Sequence, residues 1–309
     1  MGFLPRFMGF PMNIYKVKPG AFPDRDLNRN NFEEDTNKRS PYYVNEDVQY
    51  AVCPKCNNPI QLIGLYKRLA HTPKPYGRHI PRSIEGLAIY SQEAFDRCPF
   101  VRPQEPNPDA KRTSRAGIPQ TLLQLLSDQF DRIGYVLSRD TGIYFSSNLL
   151  KKMLKTFLAV DGILYPWAVE GNLPWMFGYR AQSKKLYGQK LRLDCQLRTN
   201  ILAKVPNVRF DENDRLVQLE GYLQPIVFCF MHHNFSEDGE RETIRFLVTQ
   251  VLGGLPADDL IIHDEVIEIN QRYFLDLINR PRPEKGAKQS QNLLGIAQEM
   301  LRNHLKAQA

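Results

Sequence analysis

The chain has 309 residues, 42% hydrophobic and 24% charged, which excludes a disordered chain and is enough for one large domain or two smaller ones with real cores. A formal charge of +7 and a pI near 9.1 favour an anionic partner. Five cysteines, an odd number, argue against a disulfide framework.

The opening residues, MGFLPRFMGFPMNIY, are apolar but interrupted by Pro5, Arg6 and Pro11. They therefore read neither as a signal peptide nor, with Arg6 where Ser or Thr is needed, as a myristoylation site. The strongest apolar run, PIVFCFM, is strand-sized rather than bilayer-spanning. A cytoplasmic protein with no membrane partner is expected. Residues 1–47 are predicted to form an extended N-terminal arm, because the polar Asn/Asp-rich stretch 19–47 has almost no periodicity.

Residues 48–102 carry the most specific signal. In YAVCPKCNNPIQL, a Cys-Pro-x-Cys turn followed by Asn-Asn-Pro points the sulfurs of Cys53 and Cys56 toward one point, as in half of a tetrahedral zinc site. A redox pair should instead open a helix after a strand, which Asn-Asn-Pro opposes. No second Cys-x-x-Cys follows. Cys98, in DRCPF, repeats the Cys-Pro turn and is the expected third ligand. His79, in YGRHIP, is the expected fourth, with His71 as the alternative. Cys195 and Cys229 lie in apolar segments and are expected in the core. Four protein ligands leave no open position, so the zinc would be structural and would supply folding energy to a proline-rich module. A deaminase-type site is set aside, since neither histidine is followed by Glu two residues on.

Residues 102–117 read as a linker. Residues 118–280 then read as an α+β domain of helices and antiparallel sheet, so the fold class expected for the whole is α+β. IPQTLLQLLSDQFDRIG has helical spacing with Gly134 as its stop, and YVLSRDTGIYFS reads as a hairpin turning at Asp140-Thr141-Gly142. NLLKKMLKTFLAVDG is a second helix, capped by Ser146 or Ser147. From Val208 the pattern is mostly β, with a hairpin at Glu212-Asn213-Asp214 and then PIVFCFMHHNF, TIRFLVTQVL and LIIHDEVIEI as strands. Residues 288–309 form an amphipathic C-terminal helix with Leu293, Ile296, Ala297, Met300 and Leu301 on one face and Ser290 as its cap.

Between Gly171 and Lys204 stand Arg180, Lys184, Lys185, Lys190, Arg192, Arg198 and Lys204 against one acid, Asp194. They are interleaved with Trp175, Phe177, Tyr179 and Tyr187, and Lys74, Tyr76, Arg78 and Arg82 form a smaller cluster. Cations meet phosphates and rings stack on bases, so nucleic-acid contact is expected through this stretch, with Trp175 and Phe177 themselves packed inward. No RNA- or DNA-binding motif specifies the ligand. Phosphate-loop, nucleophile-elbow and HExxH motifs are absent. An alternative reading, a nuclease or nucleotide-directed enzyme, would draw on His232, Glu242, His263 and Asp264, with His233, Glu240, Glu265 and Glu268 nearby. Adjacent strand histidines face opposite ways, so only one of His232 and His233 can serve any one site. A third reading is a protein–protein adaptor that docks through the C-terminal helix.

Overall fold

A computed structural model describes residues 12–21, 24–67, 74–96, 98, 100–101, 106–107, 109–219, 224–236, 241–252, 260–282 and 287–307. His71 and Glu240 lie outside them. The chain divides into two compact units, Met1–Glu105 with Phe235–Arg241, and Pro106–Asn234 with Glu242–Ala309. Among the described residues no helix is long and apolar enough to cross a membrane. The architecture is mixed helix and antiparallel sheet.

In the first unit, β1 (Ile14–Tyr15) pairs antiparallel with β2 (Arg25–Asp26), which leads into α1 (Arg29–Thr36). Asn28 caps α1 by accepting from Asn31 N. The stretch expected as an arm is thus partly folded. Its signal is short: only Phe32 and Thr36, one turn apart, are buried in α1, too few to give a visible helical period. Phe32 is fully buried with Met12, Tyr15, Leu27, Ile60 and Leu62. Next come β3 (Tyr43–Asn45), β4 (Val48–Val52), β5 (Pro59–Ile63) and β6 (Tyr76–His79), an antiparallel sheet in sequential order. Val52 pairs with Pro59 and Ile60 with His79. The end of β4, the start of β5 and the end of β6 therefore share one end of the sheet. A short helix, α2 (Gln92–Asp96), follows.

The second unit opens with α3 (Ile118–Thr141), followed by β7 (Ile143–Tyr144) and α4 (Ser147–Ala159). The expected hairpin over 135–146 is not formed; α3 runs through Gly134 to Thr141. Gly134 serves close packing rather than termination, since a Cβ there would lie 2.7 Å from Leu150 Cδ1 of α4. The helix stops at Gly142, left-handed at φ 74, whose N–H returns to Ser138 O. Within α3 the backbone kinks at Gln129, where Arg282 bonds Asp131, Gln129 Oε1 and the Asp128 carbonyl. The linker-like stretch before α3 is anchored too, because the Arg112 guanidinium donates to the carbonyls of Tyr165, Pro166 and Ala168.

Beyond α4 come α5 (Leu173–Arg180), β8 (Lys184–Lys185), β9 (Lys190–Leu191), α6 (Gln196–Lys204) and the hairpin β10 (Val208–Phe210) with β11 (Leu216–Gln218). The main sheet, in order β14-β13-β12-β8, contains β12 (Ile226–Phe235), β13 (Glu242–Gln250) and β14 (Leu260–Glu268). Its inward rings Phe228 and Phe230 both contact Phe246, while Phe177 of α5 packs on Phe130 and Phe157. Trp175 and Phe177 are fully buried. Helix α7 (Gln271–Asn279), capped by Asn270, follows the last strand. Helix α8 (Ala287–Lys306) begins before Ser290, so that serine is not its cap. Leu293, Ala297 and Leu301 are buried, and α8 packs on α3 and α4. Much of the apolar face that an adaptor would offer to a partner is covered within the unit.

Gly142 gives a direct test of this packing. A Cβ there would lie 2.6 Å from Cys195 Cβ, on a backbone already left-handed. Gly142→Ala is expected to lower the thermal midpoint, with at least about 1–2 kcal/mol lost to the backbone alone. An unchanged melt would show that the helix end can relax.

Candidate metal centre

Cys53 to Asn58 form the turn between β4 and β5. Asn57, left-handed at φ 58, returns its N–H to Cys53 O at 3.0 Å, and Cys53 N donates to Asn58 O at 2.9 Å. This tight turn aims both sulfurs past the end of the sheet, where His79 closes β6. Cys98 arrives from a distant segment, and Asn58 positions it. The buried Asn58 amide clamps the Ser91 backbone, accepting from Ser91 N at 2.6 Å and donating to Ser91 O at 3.0 Å. That places α2 beside the turn, and Cys98 N bonds Phe95 O as α2 ends. Phe95 also packs edge-on against the His79 ring at 5.4 Å. Neither Asn58 nor Phe95 belongs to a ligand motif, and the one local signal for Asn58 is the turn-forming preference of Asn after a Cys-Pro-x-Cys turn.

The ligating atoms of Cys53, Cys56, His79 and Cys98 all lie within 4.8 Å of one another, a cluster that could hold a metal ion. Cys53 Sγ and Cys98 Sγ are 3.7 Å apart, His79 Nε2 is 3.5 Å from Cys98 Sγ, and Cys56 Sγ is 3.2 Å from His79 Nε2. All three thiols are buried. Burial opposes ionisation of each. Hydrogen bonds from Cys56 and Cys98 nonetheless hold Cys53 well below the ordinary thiol range, while burial and contact with Cys53 push Cys56 and Cys98 well above it.

The other expected site residues are dispersed. Cys195 and Cys229 are half-buried rather than core residues. Of the proposed catalytic set, Glu242 is buried with His233, not His232. In β12 the inward positions run 226, 228 and 230, so His232 should continue the series. Its left-handed φ of 50 offsets the alternation by one residue and turns His233 inward, leaving His232 exposed. His263 faces the same side of the sheet as Val248, six residues along β13 from Glu242, or about 20 Å away. It contacts Glu265 at 3.0 Å, while Asp264 points to the opposite face and pairs with Arg245. Glu242, His232, His263 and Asp264 therefore do not share one site.

What the structure does assemble is a buried chain of polar groups. Tyr165 Oη is 2.9 Å from His233 Nδ1, and His233 Nε2 is 2.8 Å from Glu242 Oε1. The Asn172 amide donates to the same carboxylate at 2.5 Å and Gln271 to its other oxygen. The two ring nitrogens of His233 thus bridge the tyrosine hydroxyl and the carboxylate. Burial drives the Tyr165 hydroxyl far above its usual range, so it stays protonated.

The cations of 171–204 are largely engaged within the fold. Arg198 and Lys190 approach Asp214 at 3.1 and 3.6 Å, and Arg192 pairs with Asp194 at 3.2 Å. Lys204 donates to the carbonyls of Ile261 and Ile262, and Lys184 to Ala181 O. Arg180 lies 5.5 Å from the Tyr165 ring, and Lys185 is exposed. In the first unit, Arg78 bonds Gln61 and Arg82 bonds Tyr50 Oη. No family model, curated protein or solved structure matches the chain.

Glu242 is the central acceptor of the buried chain. Glu242→Leu leaves two amides and the imidazole without their buried acceptor, and a loss of about 1–3 kcal/mol or more is expected in denaturant unfolding. Glu242→Gln should recover part of it. A loss under about 1 kcal/mol for the leucine variant would show the network to be dispensable.

Proposed function

We propose that the chain is a zinc-stabilised nucleic-acid-binding protein in which Cys53, Cys56, His79 and Cys98 hold one zinc ion in a closed, structural centre. The observation that carries the zinc reading is the spacing of the donors. Zinc with bonds of about 2.3 Å to sulfur and about 2.0–2.1 Å to nitrogen sets tetrahedral edges of about 3.8 Å between sulfurs and about 3.6 Å between sulfur and nitrogen. The Cys53–Cys98 and Cys98–His79 separations of 3.7 and 3.5 Å match those edges; the Cys56–His79 edge is tighter at 3.2 Å. Three sulfurs and one nitrogen form a soft donor set that suits zinc over calcium or magnesium. Thiolates balanced by a dication also relieve the cost of ionising three buried thiols together. With four protein ligands no position is open for water, so the ion supplies folding energy rather than chemistry.

Purified protein should carry one zinc per chain, with retention sharply reduced by Cys98→Ser and by His79→Ala. Chelation should expose residues 48–101 to limited proteolysis while the second unit stays resistant. Full protection after complete metal removal would contradict a structural role.

Nucleic-acid binding is supported by the net charge of +7 and by an exposed aromatic–cation pair, Tyr144 at 48% exposure with Lys190 Nζ 5.7 Å from its ring centre. Nucleic acid should copurify at low salt and be lost at high salt, as counterion release requires. Absence of any nucleic-acid binding at low ionic strength would overturn this half of the reading.

A further inference from the structure

Helix α4 has the sequence SNLLKKMLKTFLA. Its apolar side, Leu149, Leu150, Met153, Leu154, Phe157 and Leu158, is spent entirely in the core. The opposite stripe is Asn148, Lys151, Lys152 and Lys155, all exposed. Residues three and four apart on a helix have Cβ atoms about 5–6 Å from each other, so the three ammonium groups share one patch. Like charges at these spacings weaken a helix unless something neutralises them. Elsewhere the surface does so with carboxylates: Arg29 pairs with Glu33, Lys67 with Asp47 and Arg245 with Asp264. Among the described residues, Lys151, Lys152 and Lys155 have neither an ion pair nor a side-chain hydrogen bond.

The neighbouring sequence adds little negative charge. From Ser146 to Arg192 the sequence has two acids, Asp161 and Glu170. Asp161 is held by Lys111 and Arg115, and Glu170 is buried. Lys184 reaches the same helix, its Nζ 3.3 Å from Thr156 Oγ1. Just before the N-terminus of α4 stands Tyr144, with its exposed ring and Lys190. The N-cap Ser146 bonds Gln189, which fixes the β9 segment beside that end.

We infer that the lysine stripe of α4, with Tyr144 at its N-terminal end, is the principal phosphate-contacting surface for single-stranded nucleic acid. The inference rests on the nucleic-acid reading above and moves its main contact away from the 171–204 cations, most of which are engaged internally. An anionic membrane fits the stripe less well. Interfacial helices insert an apolar face into the lipid, whereas the apolar face of α4 is in the core and the residues beside its lysines are polar or small. Ammonium groups along a ridge and a ring at its end suit a strand whose phosphates are neutralised while an unpaired base stacks.

The test is fluorescence anisotropy of a labelled poly(U) oligonucleotide titrated with the full chain over a range of salt. The variants are K151Q/K152Q/K155Q, the corresponding triple glutamate, Y144A, and R192E as the control within 171–204. Removing three phosphate contacts should reduce the slope of log K against log salt by about 2 and weaken binding about tenfold or more at low salt. Y144A should weaken binding without changing the slope, and R192E should change little. Thermal melts should match the unmodified protein, because all three lysines are exposed. If the unmodified chain binds poly(U) and the triple variants bind equally well with an unchanged slope, the assignment to α4 is wrong while the nucleic-acid reading stands. If the unmodified chain binds neither poly(U) nor duplex DNA, both fall. Binding only to phosphatidylserine vesicles, lost in the triple variants, would assign the stripe to membranes and overturn the inference.

Discussion

Three thiols and one imidazole meeting at one end of a four-stranded sheet are the constraint on which the first unit depends. The sheet itself brings only three of them together, through the β4–β5 turn and the end of β6. The fourth, Cys98, lies beyond a stretch that supplies little core of its own, and it is held by the Asn58 clamp on Ser91 and by its own contacts with the other ligands. Cys53, Cys56 and Cys98 are also members of the apolar cluster that contains Phe32 and Ile60. The ligand cluster and the core are therefore one object, and losing either would release both. Marginal stability makes such a joint support consequential in a unit this small.

The second unit is built on different physics. Its core is aromatic: Phe177 of α5 contacts Phe130 of α3 and Phe157 of α4, and on the sheet Phe246 contacts Phe228 and Phe230. A buried carboxylate is tolerated there because Glu242 receives hydrogen bonds from Asn172, Gln271 and His233 together. The same chain ties β12 and β13 to the segment around Tyr165 and to α7. It has the composition of a catalytic relay, yet Tyr165, His233 and Glu242 are all enclosed, which suits a role in fixing the fold. Among the exposed cations of this unit, Lys151, Lys152 and Lys155 of α4 stand together without a carboxylate partner.

The parts of this arrangement legible in the sequence were those written in local chemistry. A Cys-Pro-x-Cys turn and a second Cys-Pro are readable because turn residues and soft ligands carry their meaning in type and spacing, whereas His79, expected in a loop, closes strand β6. Helix α4 was legible because six apolar residues repeat at intervals of three and four. Features set by tertiary contact were not. Gly134 resembles a helix stop, but it is the place where α3 must approach Leu150. Tyr135 to Asp140 have β-like composition, yet packing extends the helix over them. The inward histidine of β12 depends on one left-handed residue, which strict alternation cannot anticipate. α1 was missed because a single phenylalanine carries its burial. The charge total was readable from composition, but which cations are engaged was not, since Asp214 neutralises Lys190 and Arg198 only in the folded chain.

X-ray absorption at the zinc edge of the purified protein tests the central claim most directly. The account predicts a four-coordinate ion with three sulfur ligands at about 2.3 Å and one nitrogen at about 2.0–2.1 Å. A first shell dominated by oxygen, or one with only two sulfurs, would contradict it.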